Sequence, residues 1–229
     1  MAGELSVSQE RSERISRLRR FLAPQVAELV DRAGDDRLLD ARRVEVVAVF
    51  CDLRNFTAFS ANAEPEGVMG VLEEYYDALE RVVGTHEATL ISFSGDGAMV
   101  LINAPVPCPD PALRAVNMAC DMQRMVQKLL VGWRVLDQRL GFGVGLAMGP
   151  ATVGQIGFEG RLHYNAIGNA VNLASRLCSG AEDSEVLIDS VAAGAVGSRV
   201  PLVDLGSRIL KGFDQPVPVF AAVVDRTEN

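Results

Sequence analysis

The sequence predicts an α+β fold: a βαββαβ core with an antiparallel sheet and helices on one face, followed by extra C-terminal strands and helices. Three observations lead there. From Val44 onward, apolar runs of strand length alternate with longer runs whose apolar residues recur every three or four positions. The stretch Ser94-Gly95-Asp96-Gly97 joins two strand-like runs directly, as a hairpin turn does. With 48% apolar and 23% charged residues, the 229-residue chain has the make-up of a globular protein with one substantial core.

The elements follow in order. Val44 to Cys51 is a continuous apolar, β-branched run that reads as a buried strand and ends on Asp52, with a polar turn after it. Val68, Val71, Leu72, Tyr75, Leu79 and Val82 form one apolar helical stripe. Thr89 to Ser92 and Ala98 to Ile102 flank the hairpin turn, where Asp-Gly most often means a type I′ geometry. Asp110-Pro111 reads as an N-cap with proline at the first helical position. The helix it opens carries Leu113, Val116, Met118, Met122, Met125, Val126 and Leu129, with the methionines as core filler. Gly141 to Met148 alternates as a strand. This order is the ferredoxin-like arrangement, and shorter elements continue to Val224.

Residues 1–43 differ in kind. They are charge-dense, with Ile15, Leu18, Phe21 and Leu22 at helical spacing and breaks at Pro24 and Gly34-Asp35-Asp36. They read as two short helices forming a coupling or dimerisation segment ahead of a domain at 44–225; a loosely docked extension fits the pattern equally. No internal repeat or low-complexity segment is visible.

A net charge of −8 excludes a broad nucleic-acid surface. Cys51, Cys108, Cys120 and Cys178 are scattered without a C-x-x-C pair, which argues against zinc and a disulfide framework and suits a reducing compartment. His86 and His163 alone do not make a histidine metal site. No signal peptide is recognisable and no apolar run approaches the ~20 residues of a membrane span. The expectation is a soluble, cytoplasmic chain.

Three segments carry chemistry. Asp52 closes the first strand and Asp96 sits at the hairpin tip; in a β-α-β-β core the first and third strands are neighbours, so the two carboxylates come together. Adjacent acids repel unless a cation lies between them, and oxygen-only ligation points to Mg²⁺ or Mn²⁺. In "LRNFTAFS" the backbone amides of the turn entering a helix at Asn55, Phe56 and Thr57 would face a triphosphate. In "YNAIGNAVNLASRL" Asn172 and Arg176 share one helix face, with Val171, Leu173, Ala174 and Leu177 anchoring the other.

With these motifs in order the sequence resembles the catalytic domain of class III nucleotidyl cyclases, the adenylate and guanylate cyclases. "FCDLRNFT" matches F-x-D-[IL]-x-x-F-T, "SGDG" the G-D-[GAS] hairpin and "GPATVGQIG" the G-x-[AVI]-x-x-G segment; "GNAVNLASR" matches G-x-x-V-N-x-A-x-R and "LKGFDQPV" the closing L-K-G-x-x-x-P-V. The match runs from about Val44 to Val224. The resemblance implies that Asp52 and Asp96 bind two metal ions, Mg²⁺ or Mn²⁺, with the Leu53 carbonyl as a further ligand. It implies that Asn172 orients the ribose, Arg176 stabilises the pentavalent phosphorus and Lys211 contacts the triphosphate. It also implies a homodimer with sites shared between subunits, and ATP or GTP as substrate.

Two positions depart from the pattern. The purine-reading residue four before the second metal aspartate, commonly Lys for adenine or Glu for guanine, is Ser92. The one seven before the helix asparagine, commonly Asp or Thr for adenine and Cys for some guanine enzymes, is Asn165, which can bond either base. ATP is favoured because the guanine-type Glu is absent. The alternative is a catalytically silent cyclase-homology module that binds nucleotide or a partner; the intact Asp52, Asp96, Asn172 and Arg176 oppose it and Ser92 supports it. A diguanylate cyclase is set aside because its G-G-[DE]-E-F signature is absent. An upstream sensor domain and the input signal are left open.

Overall fold

The computed structural model describes residues 39–133, 140–158 and 161–224. The expected N-terminal helices lie outside the described residues except for 39–43, where Leu39 is buried and the first strand already begins at Arg42. In chain order the elements are β1 (Arg42–Arg54), α1 (Phe56–Asn62), α2 (Pro65–Thr85), β2 (Thr89–Ser94), β3 (Gly97–Ile102) and α3 (Pro111–Trp133). There follow β4 (Gly141–Phe158), β5 (Arg161–Ile167), α4 (Asn169–Gly180), β6 (Val186–Asp189), α5 (Ser190–Val196), β7 (Leu202–Arg208) and β8 (Val217–Ala222).

The sheet order is β2-β3-β1-β4-β6-β8-β7, with β5 paired to the far half of β4. Its first four strands have the ferredoxin-like order and are antiparallel throughout. The expectation of a wholly antiparallel sheet is corrected at one place: β4 and β6 run parallel, Val144 against Val186, so the sheet is mixed. That parallel pair needs a crossover, and β5 with α4 supplies it.

The core helices lie on one face as expected, and one of the C-terminal extra helices covers the other. The stripes on α2 and α3 do pack together on one side: Val71, Tyr75, Leu79, Met118, Met122 and Val126 are buried against Val47, Val49 and Cys51 of β1. The opposite side is covered as well, since Val171, Ala174 and Leu177 of α4 are buried with Val46, Ala48 and Ala147. The central strands are therefore covered on both faces, and β4 is buried at nearly every position from Gly141 to Gly149 instead of alternating.

α4 lies on a row of glycines. A Cβ at Gly145 would overlap the backbone nitrogen of Cys178 and come within 2.6 Å of the Ala174 carbonyl oxygen, so the helix rests on bare strand backbone. Near its N-terminal end, Gly168 packs on Pro150 and Ala151. The helix thus runs back along β4, from the level of residue 150 to that of residue 143.

Smaller departures concern element ends. β1 does not end on Asp52 but continues to Arg54, with Cys51 and Leu53 buried on one face and Asp52 and Arg54 on the other. α3 starts at Pro111 as expected, but Asp110 has φ 47° and its carboxylate pairs with Arg199 (3.0 Å). The hairpin turn is two residues, with Gly95 at φ 62° and Asp96 outside the left-handed region, which is the type II′ pattern and not type I′.

Candidate active site

Cross-strand register builds the site in two rows. Ser94, Gly97, Asp52 and Gly143 stand side by side across β2, β3, β1 and β4; Ser92, Met99, Phe50 and Gly145 form the next row. Directly opposed residues share a face, so Asp52, Ser92 and Ser94 all look toward α4. Between them and the helix is an open cleft of about 260 Å³, whose lining includes Phe50, Asp52, Ser92, Met99, Ser175 and Ser179.

A β-bulge aims Ser92 into this cleft. Leu90 opposes Val100, yet Ser92 opposes Met99, because the register slips at Ile91. Without the extra residue Ser92 would share a face with Leu90 and point to the α2/α3 side.

Asp52 lines the cleft, and Asp96, in the turn just before Gly97, the cross-strand neighbour of Asp52, lies beside it. Asp52 is pushed up to about 6, first by burial, then by the Asp96 charge and a hydrogen bond shared with Asp96; Arg54 and the Leu53 backbone N–H oppose the shift. Leu53 itself turns its side chain into the core. Asn55, at φ 62°, makes the turn into α1, whose first residues are Phe56 and Thr57; its carbonyl accepts from the Phe59 amide. The hairpin tip is held by the Tyr76 hydroxyl, which donates to the Gly95 carbonyl, and by the Tyr76 ring against Phe93, with centroids 4.1 Å apart.

Arg54 was not singled out in the sequence. Its Nη1 lies 3.6 Å from Asp52 Oδ2, and its Nη2 donates to the Cys178 carbonyl at the end of α4 (2.6 Å). The guanidinium lies across Gly143, where a Cβ would stand 2.5 Å from Nη2 and 2.7 Å from Nε. The G-x-G-x-G alternation of Gly141, Gly143 and Gly145 is the sequence signal that something passes close over this strand.

The other expected site residues are not brought to Asp52. Asn172 and Arg176 are exposed on α4 and neither lines the cleft. Asn165 pairs with Gly154, eleven residues beyond Gly143 along β4, a contour of about 36 Å. Lys211 is exposed in the β7–β8 loop. β7 is four strand spacings from β1, about 19 Å across the sheet. One chain therefore presents two partial sets: the carboxylates with Ser92 and the Asn55–Thr57 turn, and Asn165, Asn172, Arg176 and Lys211 elsewhere.

Comparison with known proteins places this geometry in context. The sequence profile of the adenylate and guanylate cyclase catalytic domain matches residues 39–215. Adenylate cyclase 1 of Rhizobium meliloti (strain 1021) is 32% identical over 190 residues, covering 80% of this chain and 28% of that protein. The chain spans between about a quarter and two fifths of the curated relatives it matches first. Among solved structures, the adenylyl cyclase CyaB from P. aeruginosa superposes with a TM-score of 0.79 at 30% identity, over 82% of this chain and 98% of that one. The guanylyl cyclase Cya2 superposes at 0.74 and 32% identity, over 82% and 97%.

Proposed function

The chain belongs to the adenylate and guanylate cyclase catalytic-domain family, and on that premise we propose that it converts ATP to 3′,5′-cyclic AMP and pyrophosphate as a homodimer with shared sites. The observation that carries the reading is the carboxylate pair: Asp96 sits in the hairpin turn next to Gly97, which opposes Asp52, and Asp52 lines the cleft, where burial and the Asp96 charge push it up to about 6.

Such a pair wants positive charge. Among the described residues no three His, Cys, Asp or Glu side chains converge, so a cation here would lean on two carboxylates, backbone oxygen and substrate phosphates. That donor set fits Mg²⁺ or Mn²⁺. Asp52 and Asp96 would hold the two ions, with the Leu53 carbonyl beside them. Bound divalent ions would acidify the ribose 3′-hydroxyl and neutralise charge on the polyphosphate.

In the reaction the 3′-oxygen bonds to the α-phosphorus, the bond to pyrophosphate breaks and the hydroxyl proton leaves. Asn172 orients the ribose and Arg176 meets the charge growing on the non-bridging oxygens, which helps the transition state more than the ground state. Lys211 contacts the triphosphate, as do the backbone amides of the turn Asn55–Thr57. Ser92 and Asn165 face the purine; ATP is preferred because Ser92 stands where a guanine enzyme would carry Glu, while Asn165 can bond either base.

Sharing between subunits is supported by the division of these residues within one chain. An exposed apolar set on the β4–β5 arm, with Phe158 70% and Ile167 63% accessible, supports a second copy as the partner. Residues 1–43 would then form the coupling segment, 44–225 the catalytic domain. Among the described residues no helix is long and apolar enough to cross a membrane.

Product analysis with ATP and GTP supplied separately, each with Mg²⁺ and with Mn²⁺, tests the reading. Cyclic AMP should form, and Asp52→Ala and Asp96→Ala should each abolish it while leaving the circular dichroism spectrum unchanged. Near-normal turnover by either variant in saturating Mn²⁺ would refute the metal assignment. No cyclic product from the wild type would instead identify a silent nucleotide-binding module.

A further inference from the structure

Arg54 joins the two partial sets. It follows Asp52 by two residues, so both side chains rise from the same face of β1. Instead of extending into solvent, Arg54 folds over Gly143 and is only 20% exposed. There its guanidinium touches the Asp52 carboxylate on one side and the last turn of α4 on the other. The acceptor on α4, the Cys178 carbonyl, is one of the terminal groups a helix cannot satisfy internally; the Ala181 amide is its other donor. α4 has no basic residue of its own in that turn, so Arg54 supplies the cation that the negative end of the helix favours. Its Nε is buried and has no hydrogen-bond partner among the described residues. Leaving such a donor unpaired is costly, which marks the seat as a constrained one and not a casual surface ion pair.

We propose that Arg54 is a positioning residue that couples Asp52 to α4, so that a divalent cation taken up by Asp52 is felt at the helix carrying Asn172 and Arg176. The cation and the guanidinium compete for the same carboxylate. When Asp52 turns to the cation, the hold of Arg54 on Asp52 weakens and its contact with the end of α4 is rebalanced. The inference rests on the reading of Asp52 and Asp96 as cation ligands.

Two variants separate the parts. Arg54→Gln removes the charge. Gly143→Ala keeps the charge but places a methyl where the guanidinium lies, and the three nearest atoms all belong to the far end of that flexible side chain. Mn²⁺ alone is the probe, with affinity read from the electron paramagnetic resonance of free Mn²⁺ and the helix followed by hydrogen exchange over 175–181.

In the wild type, Mn²⁺ should bind, should do so through Asp52 and Asp96 (lost in the Asp52→Asn, Asp96→Asn double variant), and should change exchange in the last turn of α4. Arg54→Gln should bind Mn²⁺ about fivefold more tightly, one like charge having gone, yet show no Mn²⁺-dependent change in that turn. Its kcat should nevertheless fall about tenfold or more. Gly143→Ala should lose the same exchange response. A merely structural arginine would not give tighter metal binding together with slower turnover. Persistence of the Mn²⁺ response at α4 in Arg54→Gln, or unchanged Mn²⁺ affinity, overturns the coupling while leaving the cation site standing. Failure of the wild type to bind Mn²⁺ overturns the site reading and the coupling with it.

Discussion

Gly145→Ala tests whether α4 rests on bare strand backbone. A Cβ at this position would overlap the Cys178 nitrogen and approach the Ala174 oxygen and Cys178 Cα to 2.6 Å, where ordinary contact begins at 3.4 Å. None of these atoms belongs to a side chain that can turn away. α4 would have to withdraw by roughly 1 Å, opening the seams around Ala174 and Leu177, both fully buried. Overpacking of this kind costs about 1–3 kcal/mol, and rigid backbone on both sides puts it near 3. For a domain of this size, about 3 kcal/mol lowers Tm by roughly 6–12 °C. Gly143→Ala is the control: the same substitution on the same strand face meets the Arg54 guanidinium first, a group that can turn away, and its cost should stay below about 1 kcal/mol. Thermal melts followed by circular dichroism, with urea titrations alongside, measure both. If Gly145→Ala melts within about 2 °C of the wild type, α4 is not seated on β4 as described.

Ser92→Lys should raise the ATP-to-GTP preference about tenfold or more, since a hydrogen bond from a charged donor to the purine edge is worth ~1.5–3 kcal/mol; an unchanged ratio removes Ser92 from base recognition. Asp189 caps α5 through the Val191 and Ala192 amides and also accepts from Met148, all at 3.1 Å. Asp189→Ala should therefore cost about 2 kcal/mol. Burial holds the Asp189 pKa above its ordinary value, against those three amides. The folded state thus binds the proton more tightly than the unfolded state, and stability is lost as pH rises out of the usual carboxylate range. Asp189→Asn should flatten that part of the pH–stability curve measured by urea unfolding; an unaltered slope would place its source elsewhere. Asp52→Ala and Arg176→Ala homodimers should both be nearly inactive. Co-expressed, they should recover about a quarter of wild-type sites, because half of randomly formed dimers are mixed and each holds one intact site. Recovery that stays at the floor, with mixed dimers confirmed by tag pull-down, would place the whole site within one chain.

The order of elements was legible because burial leaves a period. The stripes of α2 and α3 turned out to be the residues packed under β1, and the hairpin around Gly95-Asp96 turned out to be two residues long. The end of β1 was misread although its signal is present: Cys51 and Leu53 inward, Asp52 and Arg54 outward is strand alternation carried past the carboxylate. The second covered face was harder to see. The surface that receives α4 includes Gly143, Gly145 and Gly149, and a surface made of absent side chains shows no apolar pattern. The bulge at Ile91 was invisible for a related reason, since one extra residue reverses which face Ser92 occupies without altering composition. Asn172 and Arg176 were legible as an exposed pair, but not as residues outside the cleft lining that Ser175 and Ser179 of the same helix join, because which α4 side chains line the cleft is set by how the helix seats on β4.

The separation of the two partial sets has a consequence when taken with Arg54. The β7–β8 loop that bears Lys211 opens from the end of β8 at Val217, whereas the row of Asp52 passes through Gly143, next to the Val144–Val186 pair at the Ala222 end of β8. The strands that flank Lys211 thus stand away from Asp52 along the sheet as well as across it. If one nucleotide touches both sets, a two-fold axis must bring the second set from another copy, and closure of the dimer then makes two equivalent sites. In that arrangement the α4 that serves one site is tied by Arg54 to the Asp52 of the other. Cation uptake at the first aspartate would alter the helix that completes the second site, and the symmetry makes the effect mutual. The link runs through one guanidinium seated on one glycine, so the communication between sites should vanish with Arg54→Gln even where each site still binds its cation.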